Sequence, residues 1–398
     1  MARTPEALVE PSVLAWARGS AGLAVDVAAK KISVKPERIE QWESGEARPS
    51  IAQLRKAATV YKRPLAVFFL PEPPQGFDAL RDFRLLPESG DQPWSPELRV
   101  EVRRAQEQQQ TALELLELLG EGIEPLPTID ASQSDPEVFG DAIRSHLGVT
   151  LDVQKRWPAS QPHVAFRAWA DAIEALGVLV MHARKVDLDE MRGFSLAEPL
   201  PTIVLNGSDS PRGRVFTLLH ELAHLFIHAT GICDVRERSQ TTTQDARIET
   251  FCNRVAAAVL MPRTAFEQRA RGIGSGPEWS DDQIESLSGE FSVSREAALR
   301  RLLTLGMTTH AFYEARRSEY LKQYRAQREK ERESDGGPGY YRIKVGSLGH
   351  EYINIALETH AQGHISRFEL ADVLDVKVRN VEKLLDEMRG SGRSAGAA

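Results

Sequence analysis

The stretch R-V-F-T-L-L-H-E-L-A-H-L-F-I-H at residues 214–228 decides how this chain is read. It is strongly apolar, free of helix breakers, and holds the pattern H-E-x-x-H as His220, Glu221 and His224. On a helix, residues four apart stand one turn above one another. Two imidazoles at that spacing can therefore converge on a single zinc ion, with the Glu221 carboxylate beside it. Zinc lowers the pKa of the water it binds, and a neighbouring carboxylate can take that proton and later pass it to a leaving amine. His220 and His224 are the candidate metal ligands and Glu221 the candidate catalytic residue. A five-residue pattern is common by chance; its weight comes from the apolar flanks, a strand just before it and a second helix after it.

A tetrahedral catalytic site needs one more protein ligand, with its fourth position left to water or substrate. The reading favours Glu249, which opens R-I-E-T-F-C-N-R-V-A-A-A-V-L-M-P at 247–262, a segment that predicts a helix packed against the first. His228, Asp234 and Cys252 compete with it. His228 drifts around the helix relative to His220, which makes three ligands from one straight helix awkward. Cys252 reads as a small buried thiol and His228 as a supporting or surface imidazole.

Working outward, V178-L179-V180-M181 and I203-V204-L205-N206 predict short apolar strands, with helices over 214–228 and 245–260. Residues 96–119 form a long amphipathic helix stopped by Gly120. Before it, apolar positions recur at helical spacing through the first seventy residues, and Pro71, Pro73, Pro74 and Gly76 mark a boundary. Residues 315–333 are densely charged and predict a solvated helix, followed by the linker D-G-G-P-G at 335–339. The fold class expected is mainly α with a small β-sheet. The domains expected are an all-α helix-turn-helix domain (1–72), a linker with a connecting helix (73–134) and a zincin-like peptidase domain (135–310). A charged helix and linker (311–340), a C-terminal helical module (341–390) and a disordered tail (391–398) complete the expected order.

At 398 residues the chain is too long for one small core. No run approaches the length that spans a bilayer, and the first residues lack a basic start followed by an apolar stretch, so no membrane association and a cytoplasmic location are expected. Two cysteines, Cys233 and Cys252, are too few for a disulfide framework and are read as reduced thiols. The net charge is −7, but residues 1–70 hold eleven Lys/Arg against seven Asp/Glu, giving a basic end on an acidic body. That suits a small nucleic-acid-binding module.

The stretch 165–305 resembles the ImmA/IrrE-type metallo-endopeptidases. The resemblance rests on G-F-S at 193–195, T-I-V-L-N at 202–206, R-x-F-T-L-L-H-E-L-A-H at 214–224, E-x-x-x-N at 249–253 with A-A-x-V-L-M-P after it, and F-S-V-S-x-x-A-A-L-x-R-L-L at 291–303. It implies zinc held by His220, His224 and Glu249, with Glu221 as general base and a protein substrate, typically a DNA-binding repressor. Cys252 departs from the alanine usual there. The resemblance also implies that strand 202–206 runs along the cleft and pairs with an extended substrate segment; the other reading makes it an inner strand of a small sheet.

Residues 23–45 with W-E-x-G-x-x-x-P at 42–49 resemble the helix-turn-helix of Xre-type repressors. Its second helix, about Pro36 to Trp42, would enter the major groove, with Lys35, Arg38 and Gln41 as the candidate DNA contacts and Lys30, Lys31, Arg48 and Arg55 near phosphates. Glu37, Glu40 and Glu43 around Arg38 oppose that role, and a scaffold kept for protein contacts, possible also as a dimer, is the competing reading. I-S-R-F-E-L-A-D-V-L-D-V-K-V-R-N-V-E-K-L-L at 365–385 has a similar rhythm and reads as a regulatory or interaction module. The function expected is a zinc endopeptidase targeted to DNA or to its partner; the alternative is a non-catalytic regulator that uses the peptidase fold as a sensor.

Overall fold

A computed structural model describes residues 6–63, 65–73, 94–129, 135–229, 242–333 and 339–393. The architecture is mainly helical with one three-stranded sheet, the expected class. Among the described residues no helix is long and apolar enough to cross a membrane. The Pro/Gly boundary near 71–77 and the linker at 335–339 fall largely outside the described residues. The chain divides into two compact units, Met1–Gln106 and Glu107–Ala398.

The first unit begins with four helices, α1 (Pro11–Ser20), α2 (Val25–Ile32), α3 (Pro36–Ser44) and α4 (Ile51–Tyr61), and a 3-10 turn at Leu65–Phe69. Leu14, Ala17, Leu23, Ala28, Ile32, Ile39, Trp42, Leu54 and Phe68 close its core. Between α2 and α3 the chain reverses at Ser33, in the left-handed region at φ 66°. The next helix, α5 (Pro96–Leu119), has the limits that its proline and Gly120 predict. Gly120 at φ 72° takes the conformation that glycine adopts without steric cost.

The second unit is built on α6 (Pro136–Leu147), α7 (Leu151–Arg156) and α8 (Pro162–Glu174), then β1 (Leu179–Ala183), β2 (Gly193–Leu196) and β3 (Thr202–Asn206). Helices α9 (Pro211–Ala229), α10 (Thr242–Leu260), α11 (Arg263–Ile273), α12 (Asp281–Glu290), α13 (Arg295–Thr304) and α14 (His310–Glu333) follow. The strand order is β1-β3-β2. β3 runs parallel to β1, Val180 opposite Ile203, and antiparallel to β2, Phe194 opposite Val204. All five β3 residues are buried. This corrects the expectation that strand 202–206 borders the cleft and bears out the other reading, an inner strand: both of its edges are already hydrogen-bonded, so the outer strands are β1 and β2, the latter a strand the sequence reading did not set out.

Helix α10 is fixed at its C-terminal end. A helix leaves its last carbonyls without intrahelical partners, and Pro262 has no N–H to offer them. Here Arg144 donates to Val259 O (2.6 Å), Gln154 to Leu260 O (2.9 Å) and Arg301 to Met261 O (3.0 Å). The two guanidinium groups also place positive charge at the negative end of the helix dipole. Along its side α10 lies directly on α6, where a Cβ at Gly140 would come within 2.7 Å of the Ala258 Cβ. The buried Arg301 guanidinium is neutralised by Glu137 through two bonds of 2.7 and 2.6 Å. Glu137→Ala strands that charge in the interior and is expected to lower the stability of this unit by about 3 kcal/mol, read as an earlier urea transition.

Four more helices close the chain: α15 (Tyr340–Leu348), α16 (His350–Ala361), α17 (Arg367–Val373) and α18 (Val381–Arg393). Helices α15 and α16 cover β1. The fit is close, since a Cβ at Gly346 would come within 2.6 Å of His182 Nδ1 and one at Gly349 within 2.5 Å of Val180 O. One outer strand of the sheet is thus shielded from stray pairing. Beyond β2, among the described residues, no strand pairs.

Candidate metal centre

Helix α9 presents its apolar residues to three sides: Val215, Leu218, Leu219, Leu222, Ala223, Leu225 and Phe226 are buried. His220 and His224 occupy the remaining face, opposite Glu249 on α10. Their Nε2 atoms lie 3.1 Å apart. Glu249 reaches both, Oε2 to His220 Nε2 and Oε1 to His224 Nε2, each at 3.2 Å.

Ligands of a tetrahedral zinc at about 2.0–2.1 Å stand roughly 3.3–3.4 Å from one another. The two imidazole nitrogens, and each of them and the Glu249 oxygen it faces, have nearly that separation, on side chains of the types zinc prefers. Two imidazoles and a carboxylate also leave a fourth position for an exogenous ligand. The residues present therefore fit a metal ion of this kind.

The electrostatics favour a charged His224 beside an ionised Glu249. Burial disfavours charge on His224, but the Cys252 thiol and the Glu249 carboxylate outweigh it and push its pKa up to about 11. Burial likewise opposes the Glu249 charge, yet the two imidazoles hold that carboxylate down to about 2. A cation taking the place of the proton on His224 would release it, which couples metal affinity to pH.

Glu221 is buried on the same helix, and its carboxylate Oε2 accepts a hydrogen bond from the Ser195 hydroxyl at 2.8 Å. Ser195 stands on β2, which lies directly on α9. A Cβ at Gly193 would come within 2.5 Å of Thr217 Cγ2 and 3.4 Å of Glu221 Cγ, so glycine permits the approach. The loop feeding β2 is held by the fully buried Asn206, whose amide donates to Val186 O (3.0 Å) and Met191 O (2.8 Å).

The structure thus brings His220, His224 and Glu249 together, with Glu221 on the same helix. Cys252 is a free, fully buried thiol against His224 and not a member of the cluster, and burial pushes its pKa up. Asp234, Cys233 and the His228 side chain lie outside the described residues. Sequence reasoning did not single out Ser195 as a partner of Glu221. It quoted that residue only as part of G-F-S, and the alternation of a longer strand would have been needed to aim its hydroxyl.

In the first unit, Lys35 is exposed at the start of α3 and Arg38 donates to Gln41 at 3.2 Å, so the three candidate DNA contacts share one short stretch. Glu37 and Glu40 are exposed beside them. Glu43 is turned away, its carboxylate gripped by Arg18 through two bonds of 2.7 Å. Lys30, Lys31, Arg48 and Arg55 are all exposed.

Residues 173–303 match the family described as "IrrE N-terminal-like domain", a peptidase M78 family, and residues 14–68 match the family described as "Helix-turn-helix". The two matches support the ImmA/IrrE architecture expected from the sequence, with a helix-turn-helix ahead of a metallopeptidase-type domain. Its metallopeptidase-type domain contains all four residues of the candidate centre, and its Xre-type helix-turn-helix contains α2 and α3 whole. No curated protein matches the chain.

Proposed function

We propose that this ImmA/IrrE-type protein is a zinc-dependent endopeptidase of the cytoplasm that cleaves one protein partner, a DNA-bound repressor, and that its Xre-type domain brings it to DNA. The observation that carries this reading is the convergence of His220, His224 and Glu249 beside a buried Glu221 already oriented by Ser195. A site that only senses a metal has no use for that second carboxylate.

In this reading His220, His224 and Glu249 hold zinc, which when bound polarises a peptide carbonyl and acidifies water. Glu221 takes the proton from the attacking water and delivers it to the leaving amine. Ser195 keeps the receiving oxygen of Glu221 in place. The outer edge of β2 offers backbone donors and acceptors to an extended substrate segment, the role the sequence reading gave to strand 202–206. Recognition of that kind selects an exposed, extended loop, with side-chain pockets choosing among sequences.

The reading is tested by incubating metal-loaded protein, and a Glu221→Gln control, with extract of its own source cells and labelling new N-termini. New termini confined to one DNA-binding protein and absent from the control support it. Identical termini in both samples would sink it and favour the non-catalytic regulator. With the substrate in hand, Ser195→Ala is expected to lower turnover about 10-fold at unchanged zinc content, the value of one lost hydrogen bond to a charged group. Ser195→Thr is expected to restore most of it.

A further inference from the structure

The chain repeats one backbone device, and comparison of its copies points to a second nucleic-acid contact. In the Xre-type pair α2–α3, a small buried Ala29 is followed after four residues by Ser33 at φ 66°, then after six by Ile39 and after three by Trp42, both buried. The pair α17–α18 keeps the same intervals with Ala371, Asp375 at φ 48°, Val381 and Leu384. In both, the first helix carries a small residue, the chain reverses through a left-handed residue, and two residues of the second helix face inward. A 3-10 turn at Val378–Asn380 leads into α18 and starts that second helix. The pair α12–α13 has the intervals too, through Ser288, Ser292 at φ 55°, Ala298 and Arg301.

Shape alone therefore does not make a reader of DNA, and the charges separate the three. On α13 the cations are consumed within the domain: Arg295 donates to Gln323, Arg300 to the Tyr313 hydroxyl, and Arg301 is buried on Glu137. On α3 the exposed groups include Glu37 and Glu40, which repel phosphate. On the C-terminal pair the acids are mostly engaged. Glu369 caps α17 by accepting from Ser366 N, Asp375 holds Lys344, Glu382 pairs with Arg367 at 3.2 Å and Asp386 with Arg389 at 3.4 Å. Among the described residues, Lys377, Arg379 and Lys383 are exposed without an ion pair, against an exposed Asp372 and a half-buried Glu387 as acids without one. All three cations sit at the start of the second helix, the part of such a motif that meets base edges.

We propose that residues 366–389 are a second DNA-binding element, in which Arg379 and Lys383 contact guanine edges or phosphates of the major groove, Asn380 stands beside them and Lys377 lies on the backbone. The module that carries it is packed onto β1 through α15 and α16, so the element is presented on a rigid support. The inference does not rest on peptidase activity.

The test uses the full-length protein and DNA duplexes selected by it from a random pool of about 30 base pairs, with affinity followed by fluorescence anisotropy over a range of salt. Arg379→Ala/Lys383→Ala is expected to weaken binding about 10- to 100-fold and to reduce the salt slope by about two. Lys35→Ala/Arg38→Ala, measured in parallel, reports on the Xre-type helix separately. Unchanged affinity and slope in the C-terminal variant overturn the proposal, whether the N-terminal variant loses binding or not, and leave α17–α18 as a protein-docking surface. Failure of the wild type to select any duplex at low salt overturns it equally. The C-terminal variant alters exposed side chains and the N-terminal one an exposed lysine and a half-buried arginine, and equal far-ultraviolet circular dichroism checks that each is folded.

Discussion

Glu249→Ala protein, purified and freed of loosely held ions, is expected to retain less than about a tenth of the zinc found in wild type, with affinity lowered at least about 100-fold. The reason is the division of labour between two helices. His220 and His224 come from one helix and define a line; only a donor from elsewhere gives the ion a third direction. Glu249 supplies it and also supplies the one negative charge in the set. Without it two neutral imidazoles are left in a partly buried place, where a bare dication is costly to desolvate. Elemental analysis reads the result directly. A variant that keeps about one zinc per chain would remove Glu249 from the ligand set and return that role to Asp234 or His228.

Glu221→Gln is expected to do the opposite: full zinc content, and turnover of the identified substrate lower by about 10³-fold, or about 4 kcal/mol of barrier. Glutamine has the same shape, still accepts the Ser195 hydrogen bond, and cannot carry a proton away from water. The measurement is a single-turnover rate at saturating enzyme, which separates chemistry from binding. Loss of metal together with loss of rate would show the substitution to be structural. An unchanged rate would exclude Glu221 as the base. The pair of variants thus distinguishes holding the ion from using it.

Much of this was legible in the sequence because it depends on local rules. The limits of α5 follow from Pro96 and Gly120, the apolar runs at 178–181 and 203–206 are strands, and the spacing of His220 and His224 places both on one helical face. The features that were not legible depend on long-range placement. Strand order is not written in any one strand, so β3 could not be told from an edge strand by its own residues. β2 has four residues and one of them, Phe194, is buried, too short a segment for alternation to register. Arg144, Gln154 and Arg301 looked like ordinary polar residues of surface helices. Their use became visible only when the carbonyls at the end of α10 were seen to need donors. Arg301 did leave a trace, a cation on the inward-facing side of an apolar helix between Leu299 and Leu302.

The caps on α10 bear on where this domain can be cut. The stretch that matches the peptidase family runs from 173 to 303, yet two of the three side chains that secure the helix carrying Glu249 come from α6 and α7, before residue 173. Glu137, which neutralises the third, lies there as well. A fragment trimmed to the family boundaries would contain every residue of the centre and lack the braces that hold one of them in position. The smallest piece expected to keep the centre in place therefore begins no later than Asp135, which caps α6.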